Sequence, residues 1–139
     1  MVKVEDYRNE FKTLISKLPF ELDIQIINYQ LVGSTSHNGE GGDYDVVVLV
    51  ADLNEMVNGL TLLGWDNESD GVDANYPVSF ISMRKGNFNL ILTVNGEFFH
   101  RMKNSAEVIR KIQSIFGRLD RADVCDIYSI ILYGHAVDE

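Results

Sequence analysis

The stretch Leu31-Val-Gly-Ser-Thr-Ser-His-Asn-Gly-Glu-Gly-Gly-Asp-Tyr-Asp-Val-Val-Val-Leu-Val50 decides how this chain is read. Its end, Val46–Val50, is an unbroken apolar run, as expected of a strand buried on both faces. Asp43 and Asp45 stand at the mouth of that strand, two apart, so their side chains project to the same side. Two carboxylates so placed offer hard oxygen ligands to a divalent cation such as Mg2+ or Mn2+. Upstream, Tyr29–Val32 reads as a strand that Gly33-Ser34 closes with a bend. There, backbone N–H groups and the Ser34 hydroxyl can hold a phosphate, although the same residues suit a plain strand-to-helix turn capped by Ser34. A phosphate cradle beside a cation seat is the equipment for moving a phosphoryl or nucleotidyl group.

An apolar residue, Gly-Ser, a short spacer and Asp-x-Asp within a hydrophobic strand together resemble the signature of the nucleotidyltransferase (DNA polymerase β-like) superfamily. Two later stretches, SFISMRKGNFNLILTV (79–94) and DRADVCDIYSIILYG (120–134), look like those of small stand-alone nucleotidyltransferase-like proteins often carried by bacteriophages. The resemblance spans about Tyr29 to Gly134. It implies an α+β fold, a small mixed β-sheet with helices packed on it. It also implies Mg2+-dependent transfer of a nucleoside monophosphate from a nucleoside triphosphate to an acceptor hydroxyl. Asp43 and Asp45 would hold the metal, and Gly33 and Ser34 the phosphates.

Active members of that superfamily carry a third acidic residue on a neighbouring strand, and here Asn89 falls at that place. An amide orients a hydroxyl but is neither a general base nor a strong Mg2+ ligand. The resemblance therefore carries a second implication: a catalytically impaired module of the same fold that binds a nucleotide or a host protein. Asp70 and Asp73 are loop acids that could stand in for the missing one.

The 139 residues, 45% of them apolar, fit one compact domain over 1–139. No apolar run reaches the length of a membrane span and the first residues do not read as a signal peptide, so a cytoplasmic protein is expected, in the host cytoplasm if phage-encoded. The lone Cys125 agrees with a reducing compartment, and no Cys/His spacing suggests zinc. Net charge is −9, and no Lys or Arg occurs between Lys17 and Arg84, an interval holding Asp43, Asp45, Asp52, Glu55, Asp66, Glu68, Asp70 and Asp73. Such a surface disfavours duplex nucleic acid and favours a nucleotide with a protein, small-molecule or presented RNA-end acceptor; plain solubility explains the acidity equally well.

Along the chain, Val4, Tyr7, Phe11, Leu14, Ile15 and Leu18 fall at helical spacing, with Pro19 as the stop. Glu21–Asn28 fits either period, and His37–Gly42 reads as a glycine-rich loop. A capping-box-like Asp52…Glu55 pair opens a helix that Gly64 ends. Asp66–Asn75 reads as a loop, and Pro77 opens a hairpin of arms Val78–Arg84 and Asn87–Val94 about a Lys85-Gly86 turn. That register sets Arg84 opposite Asn87 and Ser82 opposite Asn89, four polar side chains on one face, while Ile81, Met83, Phe88 and Leu90 take the other. Helices over about Glu97–Phe116 and from Asp120 complete the chain, with Phe116 expected on the apolar side of the first.

Arg84 and Lys85 are candidates for the triphosphate, Arg84 the better because its guanidinium is planar and bidentate. Equally open is a surface ion pair for Arg84 and an ordinary turn at Lys85-Gly86. His37 lies between cradle and cation seat and so is a further candidate. Arg118, Arg121 and Asp123 suit a helix cap or salt bridge, Cys125 a buried small side chain, and Trp65 and Tyr76 core packing or base stacking.

Overall fold

A computed structural model describes residues 1–68 and 80–134. Helix α1 (Val4–Ser16) follows a two-residue strand, β1 (Val2–Lys3), and gives way to a short helix, α2 (Phe20–Asp23), just after Pro19. Strand β2 (Ile26–Val32) leads into helix α3 (Gly33–Asn38), and β3 (Glu40–Gly41) returns to pair antiparallel with β1. Strand β4 (Tyr44–Val50) carries the apolar run, followed by α4 (Leu53–Leu62) and β5 (Asp66–Asn67). The hairpin β6 (Ile81–Lys85) and β7 (Phe88–Thr93) precedes the long helix α5 (Gly96–Phe116) and the last helix, α6 (Arg121–Tyr133).

The main sheet has five strands in the order β2-β4-β7-β6-β5. Only the central pair, β4 and β7, runs parallel, so the sheet is mixed and the fold is α+β, as expected. Alternation along β4 feeds two cores. Tyr44, Val46, Val48 and Val50 point to one face, where Phe11 of α1, Leu22 of α2 and Met56 and Leu60 of α4 cover them. Val47 points to the other, against Phe98, Phe99, Met102 and Ala106 of α5, with Tyr128 and Leu132 of α6 alongside. Burial on both faces explains why the run is apolar without a break.

Side-chain caps set the helix starts where the sequence placed them or one residue away. Asp52 accepts from the Glu55 N–H (3.1 Å), Asn95 from Phe98 (2.9 Å) and Asp120 from Asp123 (2.9 Å). No helix among the described residues is long and apolar enough to cross a membrane.

Several expectations need correction. His37 and Asn38 close helix α3, and Glu40–Gly41 form β3, because pairing with β1 supplies hydrogen bonds that a free loop would lack. The stretch Glu21–Asn28 divides between helix and strand, and Asp66–Asn67 adds an edge strand where only a loop was read. The hairpin turns at Gly86-Asn87, with Gly86 at φ +58, so Arg84 lies opposite Asn89 and Lys85 opposite Phe88. This register differs from the expected one by an even number of residues, which keeps every side chain on its expected face. Phe116 is 79% exposed and Cys125 is exposed, because α5 and α6 leave their far sides open. Asp70, Asp73, Tyr76, Pro77 and His135 lie outside the described residues.

Leu92 of β7 is fully enclosed in the first core. Leu92→Ala should therefore lower unfolding free energy by about 2–5 kcal/mol, seen as a reduced urea midpoint at constant slope. A loss below about 1 kcal/mol would mean that the core closes around the gap.

Candidate functional site

Three adjacent strands bring one polar row together on the face of the sheet that carries α5 and α6. Asp45 of β4 is in register with Asn89 of β7, and Asn89 with Arg84 of β6. Asp43 lies just before β4, two residues from Asp45 and on the same side. The Arg84 guanidinium reaches across the row to pair its Nη1 with Asp43 Oδ2, while its Nε donates to Glu68 Oε2 at 3.1 Å. Asn89 Nδ2 donates to Asp45 Oδ1 at 3.0 Å. Its own Oδ1 is buried and meets no hydrogen-bond partner.

Asp45 is half-buried, and that burial raises its pKa above the usual 3.8. The neighbouring Asp43 charge pushes the same way, and the Asn89 hydrogen bond and Arg84 charge oppose both. Asp43 keeps 23% of its side-chain surface and Arg84 keeps 36%, so the row opens to solvent at that end.

Gly33 sits at φ +76 between β2 and α3, a conformation that L side chains avoid. A Cβ there would come within 2.3 Å of Asp45 Oδ2, so the bend presses its bare backbone against the carboxylate. The Gly33 N–H is not free, as it donates to the Tyr128 hydroxyl of α6 at 3.2 Å. Ser34 is exposed at the start of α3. Thr35 behind it is buried, and its hydroxyl donates to the Asp43 carbonyl at 2.6 Å, fixing the first acid from below.

Tyr128 also lies 2.8 Å from His37 Nε2, and burial followed by the Arg110 charge lowers the His37 pKa to about 4. The Tyr128 oxygen accepts from Gly33, and its second lone pair and its proton let it accept from or donate to Nε2 according to the His37 tautomer.

Of the residues expected at the site, Asp43, Asp45, Asn89, Gly33 and Arg84 converge, while Ser34 is exposed at the start of α3. Lys85 does not: strand alternation turns it away from Arg84, and its Nζ donates to the Leu63 carbonyl at the end of α4 at 2.8 Å. The sequence reading missed Thr35 and Tyr128. Thr35 adjoins the Gly-Ser pair and could have been flagged, whereas Tyr128 sits in an apolar helical pattern that gives no such signal. His100 is exposed, and Trp65 is buried in the first core. An apolar recess of about 510 Å3, lined by Leu14, Trp65 and Phe88 among others, belongs to that core's side of the sheet and touches neither acid.

Two hard carboxylates with an unpaired amide oxygen beside them suit Mg2+, which takes one or two carboxylates and fills its remaining positions with water and phosphate oxygens. Among the described residues no three His, Cys, Asp or Glu side chains gather as a metal cluster.

The fold is similar to that of the conserved protein GrpB from Enterococcus faecalis, with a TM-score of 0.54 and 14% identity over 94% of this chain and 93% of that one. No family model matches the chain, and no curated protein matches it in sequence.

The folded state favours neutral His37, so the stability this lends is complete above pH 6.5 and is lost as pH falls through about 4. Side-chain nitrogen NMR should show His37 titrating at about 4. Titration near 6.5 would mean that the ring is not held in this buried setting beside Arg110.

Proposed function

We propose that this chain is a nucleotidyltransferase that uses Mg2+ to pass a nucleoside monophosphate from a nucleoside triphosphate to an acceptor hydroxyl. The observation that carries the reading is the pair Asp43 and Asp45, on one side of one strand end, backed by the Gly33 bend and flanked by the unpaired Asn89 Oδ1. Asp43 and Asp45 would hold the ion, which when bound offsets charge on the transferring phosphate. Ser34, exposed at the bend, offers its hydroxyl to a phosphate. Arg84 keeps donors beyond those spent on Asp43 and Glu68, and so serves both as a counter-charge for Asp43 and as a phosphate anchor.

In the transfer, the acceptor oxygen bonds to the α-phosphorus, the bond to the bridging oxygen breaks, and pyrophosphate leaves. The acceptor proton passes to water. Asn89 holds Asp45 in place through its amide N–H and takes no proton. The acidic balance of the chain favours a protein, a small molecule or a presented RNA end as acceptor over duplex nucleic acid.

A second reading rests on a specific feature of the row. Arg84 and Asn89 already satisfy one oxygen on each acid, and the position of a third acid holds an amide. On that reading the chain is a module that binds a nucleotide or a host protein without turnover.

Incubation with each labelled nucleoside triphosphate and Mg2+ separates the two. The transfer reading expects pyrophosphate release or self-labelling that vanishes in Asp43→Ala with Asp45→Ala, and an unchanged signal in that double variant would overturn it. Mg2+-dependent nucleotide binding without release would assign the chain to the second reading. Asn89→Asp should tighten Mg2+ binding, since it replaces the amide beside Asp45 with a third carboxylate. An unaltered metal titration would show that Asn89 does not border the ion.

A further inference from the structure

Beyond the acid pair, at the end of α3 remote from Ser34, lies a recess of about 350 Å3 lined by His37, Asn38, Arg110, Gln113, Ser114 and Arg118. In a chain of net charge −9, this wall contains no carboxylate. Arg110 and Arg118 come from the last turns of α5 and the segment after it, and neither has an acidic partner among the described residues. Two unpaired surface arginines are ordinarily just solvated. Here they border a wall whose other groups are fixed from inside.

Gln113 does the fixing. Its Nε2 donates to the His37 carbonyl and to Asn38 Oδ1, both at 3.0 Å, and its Oε1 accepts from the Leu119 N–H at 3.1 Å. The side chain of Gln113 is thus spent on tying α3 to α5 and to the segment that follows. Asn38, with its oxygen engaged by Gln113, keeps its amide N–H groups to offer. His37 has Nε2 engaged by Tyr128. Ser114 turns its hydroxyl proton to the Lys111 carbonyl at 2.7 Å. What the recess offers a ligand is led by the Arg110 and Arg118 guanidinium groups, both permanently charged, with the Asn38 amide beside them.

We infer that this recess binds an oxyanion, a phosphoryl or carboxylate group whose parent ligand extends past His37 and Tyr128 toward Asp45. Two guanidinium groups in a wall without a carboxylate favour an anion over a cation. The inference goes beyond the transfer reaction proposed above and stands on the donor set alone, so the two succeed or fail separately. The anion has two possible sources, the nucleotide's own terminal phosphates or an acidic group on the acceptor.

The test is calorimetric titration of the full chain with inorganic pyrophosphate in metal-free buffer. Saturable binding is expected, weakened at least about tenfold in Arg110→Gln with Arg118→Gln. The charge-matched control Lys12→Gln with Lys17→Gln, on α1 and just past its end, should bind as the parent does. In case the arginine variant fails to fold, NMR of the unaltered chain gives an independent reading: pyrophosphate should shift the His37 imidazole and Asn38 side-chain amide signals. Absence of saturable binding, equal weakening in the α1 control, or shifts confined to other regions would overturn the inference. Displacement of pyrophosphate by a nucleoside triphosphate with Mg2+ would support the recess as a seat for nucleotide phosphates. Simultaneous binding of the two would support it as a seat for an anionic acceptor.

Discussion

Asp45 carries a carboxylate into the end of a strand whose following residues are buried on both faces, and the surrounding elements are arranged around that charge. An unpaired carboxylate there would be costly, since few waters can reach it. Asn89 meets one oxygen through an amide N–H, and Gly33 lets the backbone close against the other because it has no Cβ. Arg84 balances Asp43 next to it. None of these groups removes the burial that raises the Asp45 pKa; they make an ionised residue tolerable while leaving it poised to gain from a cation.

The division of labour between the two sheet faces follows from β4. Its even-numbered residues, Tyr44 through Val50, supply a wholly apolar core under α1, α2 and α4. Its odd-numbered residues begin with Asp45 and turn apolar only at Val47, so the second face is polar at one end and packed at the other. Helix α6 lies over that boundary. Tyr128 places its ring in the second core and its hydroxyl between Gly33 and His37, joining the acid pair to the basic recess through a single oxygen. Charge is thereby separated along α3, with acids near its start and arginines near its end. That polarity suits a ligand holding both a cation-bound and a cation-seeking group.

How far the sequence disclosed this differs from one element to the next. The apolar run Val46–Val50, the cap at Asp52, the helix start near Asp120 and the periodicity of α1 are local signals, and each corresponds to an element in the structure. The alternation of the hairpin was legible too, so Arg84 and Asn89 were expected on one face even though the turn lies elsewhere. Lys85, a candidate beside Arg84 in the sequence, sits apart from it because on a strand the next residue faces the other way.

The order of residues by itself determined that Asp43 and Asp45 share a side and that a bend at Gly33-Ser34 precedes them. These are matters of period and local backbone preference, settled within a few residues. Only the tertiary structure decided that Arg84 neutralises Asp43, that Tyr128 holds Gly33 and His37, and that Arg110 and Arg118 meet at one recess. Those pairings join residues dozens of positions apart. They depend on strand order and on how α5 and α6 pack across the sheet, which no local pattern encodes.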